Sequence, residues 1–208
     1  MATPDRRAKA EAFKTEVQQK IQGLIAEFAE GKLSREQFNV LYERYNGQLQ
    51  IAEHALLSGN PDAVKIAQAG PSTVMVKDAL MGKAIGLGIY HNKSGTMVDT
   101  LGNFDVPVTL ISSVLNDFSM MMQDNKLIDR RVQKVSSKQW LLFAAGKFTT
   151  IVTLFQNEPS QQQSREMERM QHDFEEANRA FLQKEQVDKD KLAYPFLSFV
   201  QQKLKKSP

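Results

Sequence analysis

The sequence of 208 residues contains no cysteine. That absence excludes a disulfide framework, a thiolate zinc site and a catalytic thiol together. It fits a reducing compartment, and a cytoplasmic location is the expectation. Histidine is scarce as well. His54, His91 and His172 are the whole set, and none has a second histidine or a carboxylate pair at metal-ligand spacing. No metal and no cofactor is therefore expected. No apolar run approaches the roughly 20 residues that a membrane-spanning helix needs. The segment Met1 to Arg7 has no apolar stretch of the secretory-signal kind. One-sided charge is also missing: 27 Lys and Arg face 24 Asp and Glu, and the signs are interleaved along the chain. A nucleic-acid binder concentrates its positive excess on one stripe, so nucleic acid is not an expected partner. The basic cluster Lys203, Lys205 and Lys206 reads as a solvated tail.

Catalytic patterns are equally thin. Gly82, Gly86 and Gly88 do not make a dinucleotide loop, because they lie in a β run with no helix directly after it. They read instead as small residues where a helix packs closely on a strand. Gly146-Lys147 is a strand turn followed by Phe148, not a phosphate loop. Ser94 precedes Gly95 and lies near His91, but no small-residue elbow surrounds it. The carboxylates Glu166, Glu168, Glu175 and Glu176 read as the solvated face of a helix. No catalytic residue is nominated, and the chain is not expected to be an enzyme.

What is present is periodicity. Phe13, Val17, Ile21, Leu24, Ile25 and Phe28 trace one face of a helix that Gly31 ends. Ser34 and Gln37 have capping-box spacing and open a second helix with the stripe Phe38, Leu41, Tyr45, Leu49, Ala52 and Leu56. A loop this short folds the two into an antiparallel hairpin over residues 1–58. Gly59, Asn60, Pro61, Gly70 and Pro71 mark a linker over 59–72, with a turn or two of helix at Ala63 to Ala69. An α/β domain is expected over 73–185. Its opening, Thr73 to Met81, is ambiguous between strand and short helix.

Within that domain the strands are Ala84 to Tyr90 and Thr96 to Leu101, joined by the turn Asn92-Lys93-Ser94-Gly95. A helix follows, capped by Asp105 with Pro107 in its first turn. Its buried face is Leu110, Ile111, Val114, Leu115, Phe118 and Met121 or Met122. Asp129 to Val135, Trp140 to Ala145 and Phe148 to Phe155 are three more strands. Ser160 and Gln163 then box the start of a last helix carrying Met167, Met170, Phe174, Ala177 and Phe181. The tail, 186–208, holds a candidate helix from Phe196 to Lys205. The fold class is thus α+β: a helical hairpin, then a five-stranded antiparallel sheet in the order strand, strand, helix, strand, strand, strand, helix.

That order, over about residues 84–183, resembles the Roadblock-type dynein light chain family and its longin and profilin-like relatives. The segments that carry it are Ala84 to Tyr90, Asn92 to Gly95, Asp105 to Met122, Trp140 to Phe143 with Ile151 to Phe155, and Asn157-Glu158-Pro159-Ser160. The resemblance implies a binding platform that dimerises through its central helix and edge strand, and bacterial relatives regulate Ras-like small GTPases. By position, Phe118, Met121, Met122, Val132 and Val135 are the interface candidates. The expected function is a non-catalytic module that forms a homodimer and regulates or scaffolds a small GTPase or similar switch protein. The alternative is a small-ligand sensor with a pocket lined by Leu87, Ile89, Trp140 and Phe143. Met120-Met121-Met122 divides between core filling and a binding surface. Tyr194 to Val200 followed by lysines is apolar then basic, a pattern of membrane-surface attachment, although docking of those aromatics on the sheet domain is the expectation.

Overall fold

A computed structural model describes residues 4–58, 70–123, 130–184 and 186–196. The expected turn at Ala63 to Ala69, the tail helix beyond Phe196 and the terminal lysines lie outside the described residues. The chain divides into two compact units, Met1–Met81 and Gly82–Pro208.

The first unit holds α1 (Pro4–Ala29), α2 (Arg35–Ser58) and α3 (Thr73–Ala79). Gly31 takes φ 77°, and the amides of Gly31 and Lys32 donate to the Phe28 and Glu27 carbonyls at 2.9 Å each. This paired closure is how a left-handed glycine satisfies the last helical carbonyls. Ser34 and Gln37 then cap α2 reciprocally, at 2.9 and 3.2 Å. Phe13, Val17, Leu24, Leu41, Tyr45 and Ala52 fill the seam between the helices. The stripe is narrower than its spacing suggests, since Ile25 is 48% exposed.

Thr73 to Ala79 is helix, capped by the Ser72 hydroxyl, and it belongs to the first unit. The expected boundary at residue 73 therefore moves to Gly82. The reason is polar: Tyr45 and Thr73 share a hydroxyl hydrogen bond of 2.6 Å. Gln37 Nε2 donates to the Lys77 carbonyl at 2.7 Å, and the Lys77 ammonium meets Glu27.

The second unit is a five-stranded antiparallel sheet with the order β2-β1-β5-β4-β3. Its elements are β1 (Lys83–His91), β2 (Met97–Gly102), α4 (Val108–Gln123), β3 (Arg130–Lys134), β4 (Gln139–Ala145), β5 (Thr149–Gln156) and α5 (Gln161–Leu182). The expected fold class and element order are those observed. Side chains alternate across a strand, so the central strands supply two separate cores. Leu87, Ile89, Leu142, Ala144, Ile151 and Phe155 pack beneath Met167, Met170 and Phe174 of α5. Tyr90, Leu141, Phe143, Val152 and Leu154 pack beneath Ile111, Val114 and Phe118 of α4.

Two local expectations change. The helix after β2 starts at Val108, not at an Asp105 cap, because Pro107 keeps the residue before it extended. A Cβ on Gly86 would lie 2.5 Å from the Asn103 backbone, and one on Gly88 would lie 2.8 Å from the Phe104 ring. The close approach at these glycines is therefore the connection between β2 and α4, not a helix.

Candidate interaction surface

The two faces of the sheet are covered differently. On one, α5 lies over β4 and β5. The chain then turns through a single 3-10 turn (Lys189–Lys191) and returns along the helix. Asn178 receives that return segment at both ends of its amide: Nδ2 donates to the Ala193 carbonyl, and Oδ1 accepts from the Ala193 amide, each at 2.7 Å. Leu192 and Phe196 are buried in the α5 core, and the Tyr194 hydroxyl donates to Asp99 of β2 at 2.7 Å. Tyr194 and Phe196 thus dock on the sheet domain, as expected of the tail aromatics.

Glu175 joins α5 to the turn between β4 and β5. Its carboxylate accepts from the backbone amides of Lys147, Phe148 and Thr149 at 3.0, 2.7 and 2.7 Å, and from the Thr149 hydroxyl at 3.0 Å. Successive amides converging in this way form an anion-holding nest, and here the anion is the protein's own. The expectation that Glu175 only solvates a helix face is corrected. A Cβ on Gly146 would stand 1.9 Å from Gln171 Nε2, so a side chain there would have to displace Gln171.

His91 is 2% exposed. Its Nε2 lies 3.1 Å from the Leu182 carbonyl and its Nδ1 lies 2.9 Å from Ser94 Oγ. A carbonyl only accepts, so Nε2 carries a proton and donates to Leu182, while Nδ1 shares a hydrogen bond with the Ser94 hydroxyl. Thr96 Oγ1 stands 2.7 Å from Ser94 Oγ. The serine, histidine and carbonyl thereby satisfy a buried imidazole and fasten the β1–β2 turn to the end of α5. An open, mostly polar cavity of about 220 Å³ adjoins this turn and α4. Among the described residues no group of three or more His, Asp or Glu is placed to hold a metal. No described helix is long and apolar enough to cross a membrane.

The residues expected to line a ligand pocket do not share one. Leu87, Ile89 and Trp140 belong to the α5 core and Phe143 to the α4 core. Leu87, Ile89 and Phe143 are at most 3% exposed. They are packing.

No protein-family model matches this chain, and no curated protein matches its sequence. The geometry of its surface therefore has to carry the functional argument.

The five interface candidates do not form one patch. Phe118 is 5% exposed and meets Phe143 edge to face at 6.1 Å, so it belongs to the core and offers nothing to a partner. Val135 packs half-buried against the same core. Val132 points to the opposite face and is 37% exposed. Met121 is partly open, and the side chain of Met122 lies outside the described residues. Met120, which the sequence left divided between core filling and a binding surface, is 67% exposed. It falls off the helical stripe that the buried positions define, and that is the signal by which it was available.

What the structure brings together is a corner. Arg131 of β3 pairs with Asp117 of α4 at 2.9 Å, and Met121 follows Asp117 by one helical turn. On the other face Arg130 binds both oxygens of Glu168, at 3.0 and 3.1 Å. Lys134 lies over the Trp140 ring at 5.5 Å. Two buried polar atoms, Gln133 Oε1 and Trp140 Nε1, have no hydrogen-bond partner among the described residues. Both lie at this edge of the sheet.

Proposed function

We propose that this chain is a cytoplasmic protein-interaction module that dimerises and regulates or scaffolds a small Ras-like GTPase or similar switch protein. The observation that carries this reading is the β3–α4 corner. There an edge strand leaves Val132 exposed on its α5 side, and on its other side the helix tied to it leaves Met120 and Met121 exposed. An unpaired edge strand is a template for another chain, and methionine is adaptable where it meets a partner. The sheet cores are filled by the protein's own side chains, which favours a surface function over an internal ligand site. The GTPase partner rests on the resemblance to Roadblock-type proteins.

The test is capture of native-lysate proteins on the immobilised chain, in parallel with a GTP analogue and with GDP, read by mass spectrometry. Retention of a small GTPase in one nucleotide state and its loss in the other is the expected result. Absence of any GTPase from both lanes overturns the switch-protein reading.

A further inference from the structure

We infer that the cavity between the β1–β2 turn and α4 binds a small anion bearing a carboxylate or a phosphate. It is an open surface site, and it is independent of the interaction surface proposed above. Its volume is about 220 Å³, below the roughly 300 Å³ at which drug-sized ligand sites begin. That space suits a short acid or a phosphate better than a nucleotide.

One wall is the turn Asn92-Lys93-Ser94-Gly95, and it is ordered before any ligand arrives. The Asn92 side chain donates to the Gly146 carbonyl and accepts from the Thr150 hydroxyl, at 2.8 Å each. Its backbone amide donates to the Phe148 carbonyl, also at 2.8 Å. Gly95, at φ 67°, closes the turn on the His91 carbonyl, and the His91 ring holds Ser94. A wall fixed in advance has less conformational freedom to lose on binding. The other wall is α4, from which Asn116 and Ser119 line the cavity. A helical serine can return its hydroxyl to the carbonyl four residues back, as Ser112 does to Val108 at 2.8 Å. Among the described residues Ser119 makes no such bond, and the Asn116 side chain makes none. Tyr90 lines the cavity too and is 6% exposed. Burial alone acts on its phenol, and its hydroxyl has no hydrogen-bond partner among the described residues.

The lining selects its ligand by charge. Lys93 brings an ammonium, and the side chains of Tyr90, Ser94, Asn116 and Ser119 all carry donors. No aspartate or glutamate lines the cavity among the described residues, so a hard cation finds no carboxylate there. A carboxylate or phosphate oxygen accepts from several donors at once, and such charge-assisted bonds are the strong ones. The neighbouring β4–β5 turn already has its anion in Glu175. The β1–β2 turn has a lysine and no carboxylate of its own among the lining residues.

The test is amide NMR of the isotopically labelled full chain, titrated with inorganic phosphate and separately with succinate. Sodium chloride holds the ionic strength constant. A saturable shift of the Lys93, Ser94, Asn116 and Ser119 amides is expected with at least one anion, and the one that responds names the group held. Lys93→Ala is expected to weaken that binding about tenfold or more, and Ser119→Ala about threefold. Lys147→Ala, at the other turn, should leave it unchanged. Glycerol supplies neutral hydroxyls as a control. The inference is overturned if neither anion gives a saturable shift, or if the shifts centre on Lys147. It is equally overturned if glycerol moves the same amides as strongly, or if Lys93→Ala binds as the parent does. The readout needs no protein partner, so its failure and failure of the nucleotide-dependent capture are told apart.

Discussion

The two faces of the sheet have the same strands beneath them and opposite finishes above them. The α5 face is closed by a helix of 22 residues and a return segment. Side chains fasten it at intervals: Gln163 to Gly82, Gln171 and Glu175 to the β4–β5 turn, and Asn178 to Ala193. The α4 face is covered by a helix of 16 residues that the exposed pair Arg131–Asp117 ties to the sheet. Exposed ion pairs contribute about 0–1 kcal/mol, whereas charge-assisted bonds to partly buried backbone amides contribute more. The difference teaches where stability is held and where surface is left over. Polar anchoring is concentrated on α5, and the exposed methionines are on α4.

The strongest way to break that contrast is to empty each core in turn. Phe174→Ala, at a position with no exposure, is expected to destabilise the second unit by about 3–5 kcal/mol in urea unfolding. Phe118→Ala on the other face should fall at the bottom of that range, because a lightly tethered helix settles into the space more easily. If Phe118→Ala costs more than Phe174→Ala, the contrast between the faces is wrong. Next in size is Glu175→Ala. It removes the acceptor from three amides and a hydroxyl, and a loss of about 2–3 kcal/mol follows. Amide exchange should accelerate at Lys147, Phe148 and Thr149 first.

Glu175 also marks the limit of what the sequence discloses. The caps at Gly31, at Ser34 with Gln37, and at Ser160 with Gln163 were legible because each is a local pattern closed within a few residues. The strands were legible as runs of β-branched and aromatic residues, and their number and order follow from hairpin-length turns. Glu175 sits in a polar helical run like any solvated carboxylate, and its donors lie 26 to 28 residues earlier in the chain. Gln37 reaches Lys77 across 40 residues, and so α3 was assigned to the wrong unit. At the candidate surface the error was one of direction. Phe118 was nominated from the apolar stripe of α4, but a stripe is the set of positions a helix turns toward its core. Val132 at the edge strand and Met121 at the margin of the stripe were the nominations that remain exposed.

A smaller effect sharpens the contrast by pH. Burial, reinforced by the hydrogen bond to Asp99 and its charge, pushes the Tyr194 phenol far above its ordinary value. Burial alone raises Tyr90 on the α4 face. A phenol raised in the folded state favours folding while it stays protonated. That contribution is whole below about pH 10, where the unfolded phenol ionises, and is lost as pH rises through the folded-state value. Stability should therefore decline on the alkaline side of pH 10. Tyr194→Phe should lose about 1 kcal/mol at neutral pH and flatten the alkaline decline, leaving the share that belongs to Tyr90. An unchanged alkaline profile in Tyr194→Phe would assign the whole effect to the other face.

The smallest expected effect on stability is the most informative about function. Met120 is 67% exposed and Met121 is 38% exposed, and α4 holds its place through Ile111, Val114 and Phe118. Met120→Lys therefore removes almost no packing, and its unfolding free energy should stay within about 0.5 kcal/mol of the parent. The same charge placed against an apolar partner surface is costly, because a lysine there is desolvated without a counter-ion. Capture of the partner should fall while urea unfolding stays unchanged. A substitution that leaves both stability and capture intact would move the binding surface off α4, and the β3 edge would then have to act without it.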